Sequence, residues 1–306
     1  MKAKKTIRSP IAMILAVMTV FVSVLMHNQT VMAFEESNSD TKSHVEFADE
    51  HEFDVVDTND VTNTYQVPEI EDAPLTSSSD ITFSYEYVQS DVMPYILYTP
   101  STAATNEKTP LIISLHGMGD IGTGADNFKN KFISKMLMNW ELEGFNAYVL
   151  IPHLSNAGYA DTWNSPYVAE KLFTIIDRVV EEYDIDPNQI VIQGQSMGGY
   201  GCLYMAAYHP EYFAAVVPIS AYNSNADLAK LEGMPFRAYV GTPANGEDGH
   251  SVNFVMGTLR MTFGEENVNQ RACSHDEIPI VAFTEDLNED GKSDLIEWML
   301  AQYKFS

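Results

Sequence analysis

The chain has 306 residues, 45% of them hydrophobic and 20% charged, with a formal net charge of -26 and two cysteines. These proportions are those of a globular, enzyme-like protein and disfavour a wholly disordered, collagenous or multi-spanning membrane chain, while two cysteines exclude a disulfide-built scaffold and an all-cysteine zinc site. The negative charge would repel polyanions, which argues against nucleic acid or an anionic membrane surface as the main partner.

The N-terminus carries Lys2, Lys4, Lys5 and Arg8, then an apolar stretch from Ile11 to Met26, then Val31-Met32-Ala33. A basic head, an apolar segment and small residues at a cleavage position read as a secretory signal peptide over residues 1–33. Sixteen helical residues rise only about 24 Å, short of a hydrocarbon core of about 30 Å, so cleavage is expected rather than anchoring. Residues 34–80 follow as an acidic linker: from Glu35 to Asp80 there are fourteen acids against one base, Lys42, and no sustained period of 2 or 3.6. Such a segment is expected to be disordered and to act as a solubilising leader. The mature protein is expected to be extracellular and monomeric, with no membrane association once the signal is removed.

Residues 81–306 read as one domain. Ile81 to Val88 and Met93 to Tyr98 have the aromatic and β-branched content of strands, and Gln89-Ser90-Asp91 between them suggests an antiparallel hairpin. Leu111 to Leu115, Ala147 to Ile151, Ile190 to Gln193, Ala214 to Ile219 and Phe236 to Val240 are short apolar runs, the pattern of parallel strands covered on both faces, and Asn267 to Ala272 is a plausible last strand. A helix is predicted from Ser165-Pro166 onward, with Val168, Leu172, Ile175, Val179 and Tyr183 on one face. The alternation predicts an α/β fold: a mostly parallel, doubly wound sheet with an antiparallel N-terminal hairpin.

Gly194-Gln195-Ser196-Met197-Gly198 is a G-x-S-x-G string between the predicted strand ending at Gln193 and a predicted helix from Tyr200 to Tyr208. A serine on so sharp a turn leaves no room for Cβ atoms on its neighbours, and the arrangement marks Ser196 as a nucleophile. An acyl-transfer serine needs N-H donors for the developing oxyanion: one from Met197, and a second from the loop His116-Gly117-Met118-Gly119-Asp120, here assigned to Met118. His116 is read as stabilising that turn. Three histidines lie downstream, of which His209 is expected to cap the nucleophile helix and His250 falls in the loop that should carry the acid. His275 is therefore the expected base. Glu247 and Asp248 are adjacent in that loop; Asp248, three residues before an expected helix start at Ser251, is preferred, giving the order serine, acid, histidine.

On these residues the chain resembles the α/β-hydrolase superfamily, and within it secreted carboxylesterases similar to feruloyl esterases, polyhydroxybutyrate depolymerase-like enzymes and prolyl-oligopeptidase-type hydrolases. The resemblance runs from about Met93 to Tyr303, on Pro94 to Pro100, His116 to Gly119, Ile185-Asp186-Pro187-Asn188-Gln189-Ile190 ahead of the serine motif, and Leu295 to Trp298. It implies an α/β-hydrolase fold and cofactor-free hydrolysis of acyl esters by a serine triad, often on small-molecule or polysaccharide-linked acetyl or feruloyl esters. A serine peptidase on the same fold, or a non-catalytic calcium-dependent binding protein on a hydrolase scaffold, is the alternative.

Near the C-terminus, Asp286, Asn288, Asp290, Asp294 and Glu297, with Gly291, fit the spacing of a calcium loop and are expected to hold a structural calcium; the competing reading is an exposed Asp-Gly turn. Cys202 and Cys273 read more readily as buried free thiols than as a disulfide. Trp163 and Asn164 are either rim residues of the acyl pocket or core.

Overall fold

The computed structural model describes residues 83–101, 103, 108–122, 145–155, 162–221, 225–242 and 249–304, all within one compact unit, Thr58–Ser306. The expected signal peptide (residues 1–33) and the expected acidic linker (34–80) lie outside the described residues, as do Glu247 and Asp248.

Eight strands form one sheet: β1 (Phe83–Val88), β2 (Tyr95–Pro100), β3 (Thr109–Leu115), β4 (Tyr148–Pro152), β5 (Ile185–Gln195), β6 (Ala215–Ile219), β7 (Ala238–Gly241) and β8 (Val268–Arg271). Their spatial order is β1-β2-β4-β3-β5-β6-β7-β8. β2 runs antiparallel to both β1 and β4, and every pairing from β4 onward is parallel. The predicted hairpin and the mostly parallel sheet are thus both present.

The apolar runs are continuous because both sheet faces are covered. Leu111, Ile113, Leu115, Leu150, Ile190 and Ile192 point into one core, whereas Ile112, Val149, Ile151, Val191 and Val217 point into the other. Helix α1 (Pro166–Glu182), helix α2 (Met197–Tyr208) and Met256 and Leu259 of helix α3 (Gly249–Phe263) close the first face. The second is closed by α4 (Ile278–Thr284) and α5 (Asp294–Leu300). In α1 the predicted stripe of Val168, Leu172, Ile175 and Val179 is buried. The start of α1 is fixed by Pro166 and by the Ser165 carbonyl accepting from Ala169 N-H at 2.9 Å, and the Ser165 hydroxyl makes no capping bond.

Some boundaries differ from expectation. β5 begins at Ile185 rather than Ile190, because Ile185 pairs with Thr109 across a register shift in which Asn188 N-H donates to the Asp186 carboxylate. The proline in that stretch concealed the pairing. β7 starts at Ala238, Phe236 contributing only a bridge to Val216, and α3 begins at Gly249 instead of Ser251. No described helix is long and apolar enough to cross a membrane.

Candidate active site

Ser196 stands between the end of β5 and the start of α2 with φ 56° and ψ -117°, a conformation that costs a β-carbon-bearing residue about 1–3 kcal/mol. Three hydrogen bonds hold it there. Ser196 N-H donates to the Ile219 carbonyl of β6 at 2.9 Å, and the Ser196 carbonyl accepts from Gly199 N-H at 2.9 Å and Tyr200 N-H at 3.2 Å. The flanking glycines are steric requirements. A Cβ on Gly194 would run into the Gly198 backbone, and one on Gly198 into the Leu115 carbonyl of β3. The same atom on Gly199 would sit 2.5 Å from the Ile219 carbonyl. The G-x-S-x-G spacing therefore records how tightly β5 and α2 pack between β3 and β6.

The loop after β3 reaches the serine. A Cβ built on Gly117 lies 3.8 Å from Ser196 Cβ, so this loop is in van der Waals contact with the nucleophile. Gly117 leads into a 3-10 turn, Met118–Asp120, and the Met118 side chain is exposed, leaving its backbone N-H as the group relevant to the site. Among the described residues, no backbone carbonyl accepts from the N-H of Met118 or of Met197.

His116 lies under this loop and is buried. Its Nε2 accepts from Leu154 N-H at 3.1 Å while its Nδ1 stands 2.7 Å from the Gly117 carbonyl. A backbone N-H can only donate and a carbonyl only accept, so the ring is neutral with its proton on Nδ1. Burial depresses its pKa to about 4, against a smaller opposing effect of the Gly117 carbonyl. His153, whose ring centroid is 5.1 Å from that of His116, is likewise lowered to about 4 by burial and by its neighbour His116. Trp163 is fully buried, with its ring edge toward His116 at 5.1 Å and its Nε1-H donating to the His116 carbonyl at 3.0 Å. Trp163 is thus core, not pocket lining, wedged where Gly201 of α2 leaves no space for a side chain.

His275 follows β8 in a turn that is tied at each end. Ser274 N-H donates to the Glu277 carboxylate at 2.8 Å, and the Ser274 carbonyl accepts from the N-H groups of Glu277 at 3.3 Å and Ile278 at 3.1 Å. The first of these bonds holds the Glu277 carboxyl below the usual range. Gln195, the residue before the nucleophile, brings its Nε2 to 3.5 Å from the His275 carbonyl, so the segment carrying the expected base runs beside the serine turn. The root of the expected acid loop arrives at the same place: a Cβ on Gly241 would lie 2.6 Å from the carbonyls of both Cys273 and Ser274, and Thr242 N-H donates to the Arg271 carbonyl at 2.9 Å. His209 ends α2, with its ring edge against Phe173 and its Nδ1 2.8 Å from the Glu211 carboxylate.

Two features went unread in the sequence. The link from Trp163 to His116 spans 47 residues. The Arg271–Glu285 pair, a double hydrogen bond at 2.7 and 2.8 Å with the Glu285 side chain only 4% exposed, ties β8 to the end of α4. The thiols are free, and they line the cores on opposite faces of the sheet, which rules out a disulfide. Burial pushes the Cys202 thiol up strongly and that of Cys273 to about 11.

The acidic loop before α5 is closed by its own backbone. Asp286 accepts from the N-H groups of Asp290 at 3.1 Å and Gly291 at 2.8 Å, Asn288 from Asp290 at 3.1 Å, and Asp294 from Leu287 at 2.6 Å. Lys292 pairs with Glu297 at 3.1 Å. Among the described residues no three His, Cys, Asp or Glu side chains are gathered as a metal cluster.

A strained serine between a central parallel strand and a helix, in an eight-stranded sheet of this order, defines the α/β-hydrolase class. Within it, the model of the Esterase family matches residues 89–266, more than half of the chain. The chain belongs to that esterase family. Among solved structures it is similar to an S-formylglutathione hydrolase from Staphylococcus aureus, at 15% identity and TM-score 0.52 over 74% of this chain and 100% of the other. It is also similar to a thermostable esterase, at 22% identity and TM-score 0.47 over 72% of this chain and 63% of the other. A ferulic acid esterase is similar at 18% identity and TM-score 0.49, over 66% and 97% of the two chains. The matched part thus spans less than two thirds of the thermostable esterase. No curated protein matches the chain.

Proposed function

We propose that the protein is a secreted carboxylesterase working through Ser196, His275 and Asp248. His275 takes the Ser196 hydroxyl proton as the oxygen adds to the ester carbonyl, and the N-H groups of Met118 and Met197 receive the oxyanion. Collapse of the tetrahedral adduct expels the alcohol, which leaves with the proton from His275. Water, deprotonated by the same imidazole, then cleaves the acyl-serine and releases the acid. Asp248, or Glu247 beside it, holds the imidazole in the required tautomer and stabilises the imidazolium. The observation that carries this reading is the φ of 56° at Ser196, on a turn between β5 and α2 that lies against the Gly117–Met118 loop.

The substrates proposed are small or polysaccharide-linked acetyl or feruloyl esters, met outside the cell after removal of residues 1–33. The protein from Phe34 onward is to be assayed with p-nitrophenyl acetate, butyrate and octanoate and with methyl ferulate. Turnover of the short acyl esters or of the ferulate is expected. Inertness toward all four, together with failure of a fluorophosphonate to modify Ser196, would sink the proposal.

A structural calcium at Asp286, Asn288, Asp290, Asp294 and Glu297 belongs to the same proposal. Its support is the ligand spacing and the left-handed Gly291 (φ 83°) at the sixth position; the ammonium of Lys292 on Glu297 competes with it. Millimolar calcium should raise the melting temperature of EDTA-treated protein, and an unchanged melt would remove the site.

A further inference from the structure

Three successive carbonyls at the end of β3 are held from outside the strand. The Leu115 carbonyl abuts Gly198, the His116 carbonyl accepts from Trp163 Nε1-H at 3.0 Å, and the Gly117 carbonyl accepts from His116 Nδ1-H at 2.7 Å and, more weakly, from Asp120 N-H at 3.3 Å. The last is the informative one. The Gly117 carbonyl and the Met118 N-H belong to one planar trans peptide, in which C=O and N-H point in opposite directions. Drawing the carbonyl toward the buried imidazole turns the Met118 N-H the other way, out of the buried cluster. Gly117, with no side chain, could otherwise rotate this peptide at little cost.

We infer that His116 is a positioning residue: its Nδ1-H fixes the Gly117–Met118 peptide so that the Met118 N-H, not the Gly117 carbonyl, faces the developing oxyanion. The inference rests on the esterase reading of Ser196. A carbonyl in that place would repel the oxyanion instead of stabilising it, so the orientation of one peptide separates a formed oxyanion site from a blocked one. The imidazole is suited to the task because Leu154 N-H, on its other nitrogen, dictates which tautomer it adopts. The other groups around the ring, Trp163 and neutral His153, offer it no charge, and Asp120 acts on His153.

The test compares His116→Asn with His116→Leu. Both leave Leu154 N-H without its acceptor, but only asparagine carries an amide N-H where Nδ1 stood. His116→Leu should lower kcat by roughly 10²- to 10³-fold, the value of one oxyanion donor, with KM within about threefold. His116→Asn should recover most of that loss in kcat, while the two variants melt at similar temperatures. Equal losses in both, or an unimpaired His116→Leu, would overturn the inference. Its failure is separable from that of the esterase reading by the ¹⁵N spectrum of the histidine-labelled parent at pH 7. A His116 ring protonated on Nε2, or on both nitrogens, refutes the positioning role whether or not any ester is turned over. An Nδ1-H tautomer in a parent inert toward all four esters and toward the fluorophosphonate leaves the hydrogen bond in place and refutes the esterase reading, and with it the catalytic purpose assigned to the bond.

Discussion

Ser196→Ala is expected to lower kcat for ester hydrolysis by about 10⁶-fold, the order of loss when the nucleophile of a serine triad is removed. Alanine keeps the Cβ and loses only the hydroxyl, and the three bonds that hold the turn all involve the backbone of residue 196. The variant should therefore fold as the parent does, with a melting temperature within a few degrees, so a loss of rate reads as chemistry. Steady-state kinetics, thermal melts and fluorophosphonate labelling together decide it. A variant retaining a tenth of the parental rate would mean that another residue attacks the ester.

Glu285→Ala should have the largest effect on stability. The Arg271 side chain is 20% exposed and the Glu285 side chain 4%, and the guanidinium is placed close to Tyr239, whose pKa burial raises to about 12. Removing the carboxylate leaves a cation largely out of water without its partner. Breaking a buried pair in this one-sided way costs about 3–5 kcal/mol. For a domain of this size that corresponds to a fall in melting temperature of roughly 6–20 °C. The double variant Arg271→Met/Glu285→Leu should regain most of the loss, since it removes the charges together. A melting temperature within 2 °C of the parent in Glu285→Ala would show the pair to be dispensable. Arg271 ends β8, and the turn bearing His275 begins three residues later, so loosening this pair should also slow turnover.

What could be read from the sequence follows the reach of the forces involved. The nucleophile turn was legible because its cause is local: glycines at 194 and 198 are needed by backbone contacts that any chain making this turn must form. The stripe on α1 and the doubly buried strands were legible because burial imposes a period. His116 was recognisable as a turn residue, yet its tautomer depends on Leu154 and its carbonyl on Trp163, at separations of 38 and 47 residues that no periodicity encodes. Trp163 could be pocket or core until the gap left by Gly201 was seen beside it. The same holds for Arg271 and Glu285, two charges in a very acidic chain whose partnership is fixed only by the packing of α4 on the sheet. For Glu247 and Asp248 adjacency itself is the obstacle, since neighbours in one loop share every property that spacing can express.

The serine turn is held from two sides, by the Leu115 carbonyl of β3 and the Ile219 carbonyl of β6, and both lie far from it along the chain. A peptide carrying only the G-x-S-x-G residues would relax from φ 56° to an ordinary conformation, because nothing would oppose the strain. Hydrolytic competence is in this sense a collective property of the assembled sheet. It requires all three strands to be closed around the turn, and a sheet parted at β6 would lose the Ser196–Ile219 bond that holds the nucleophile.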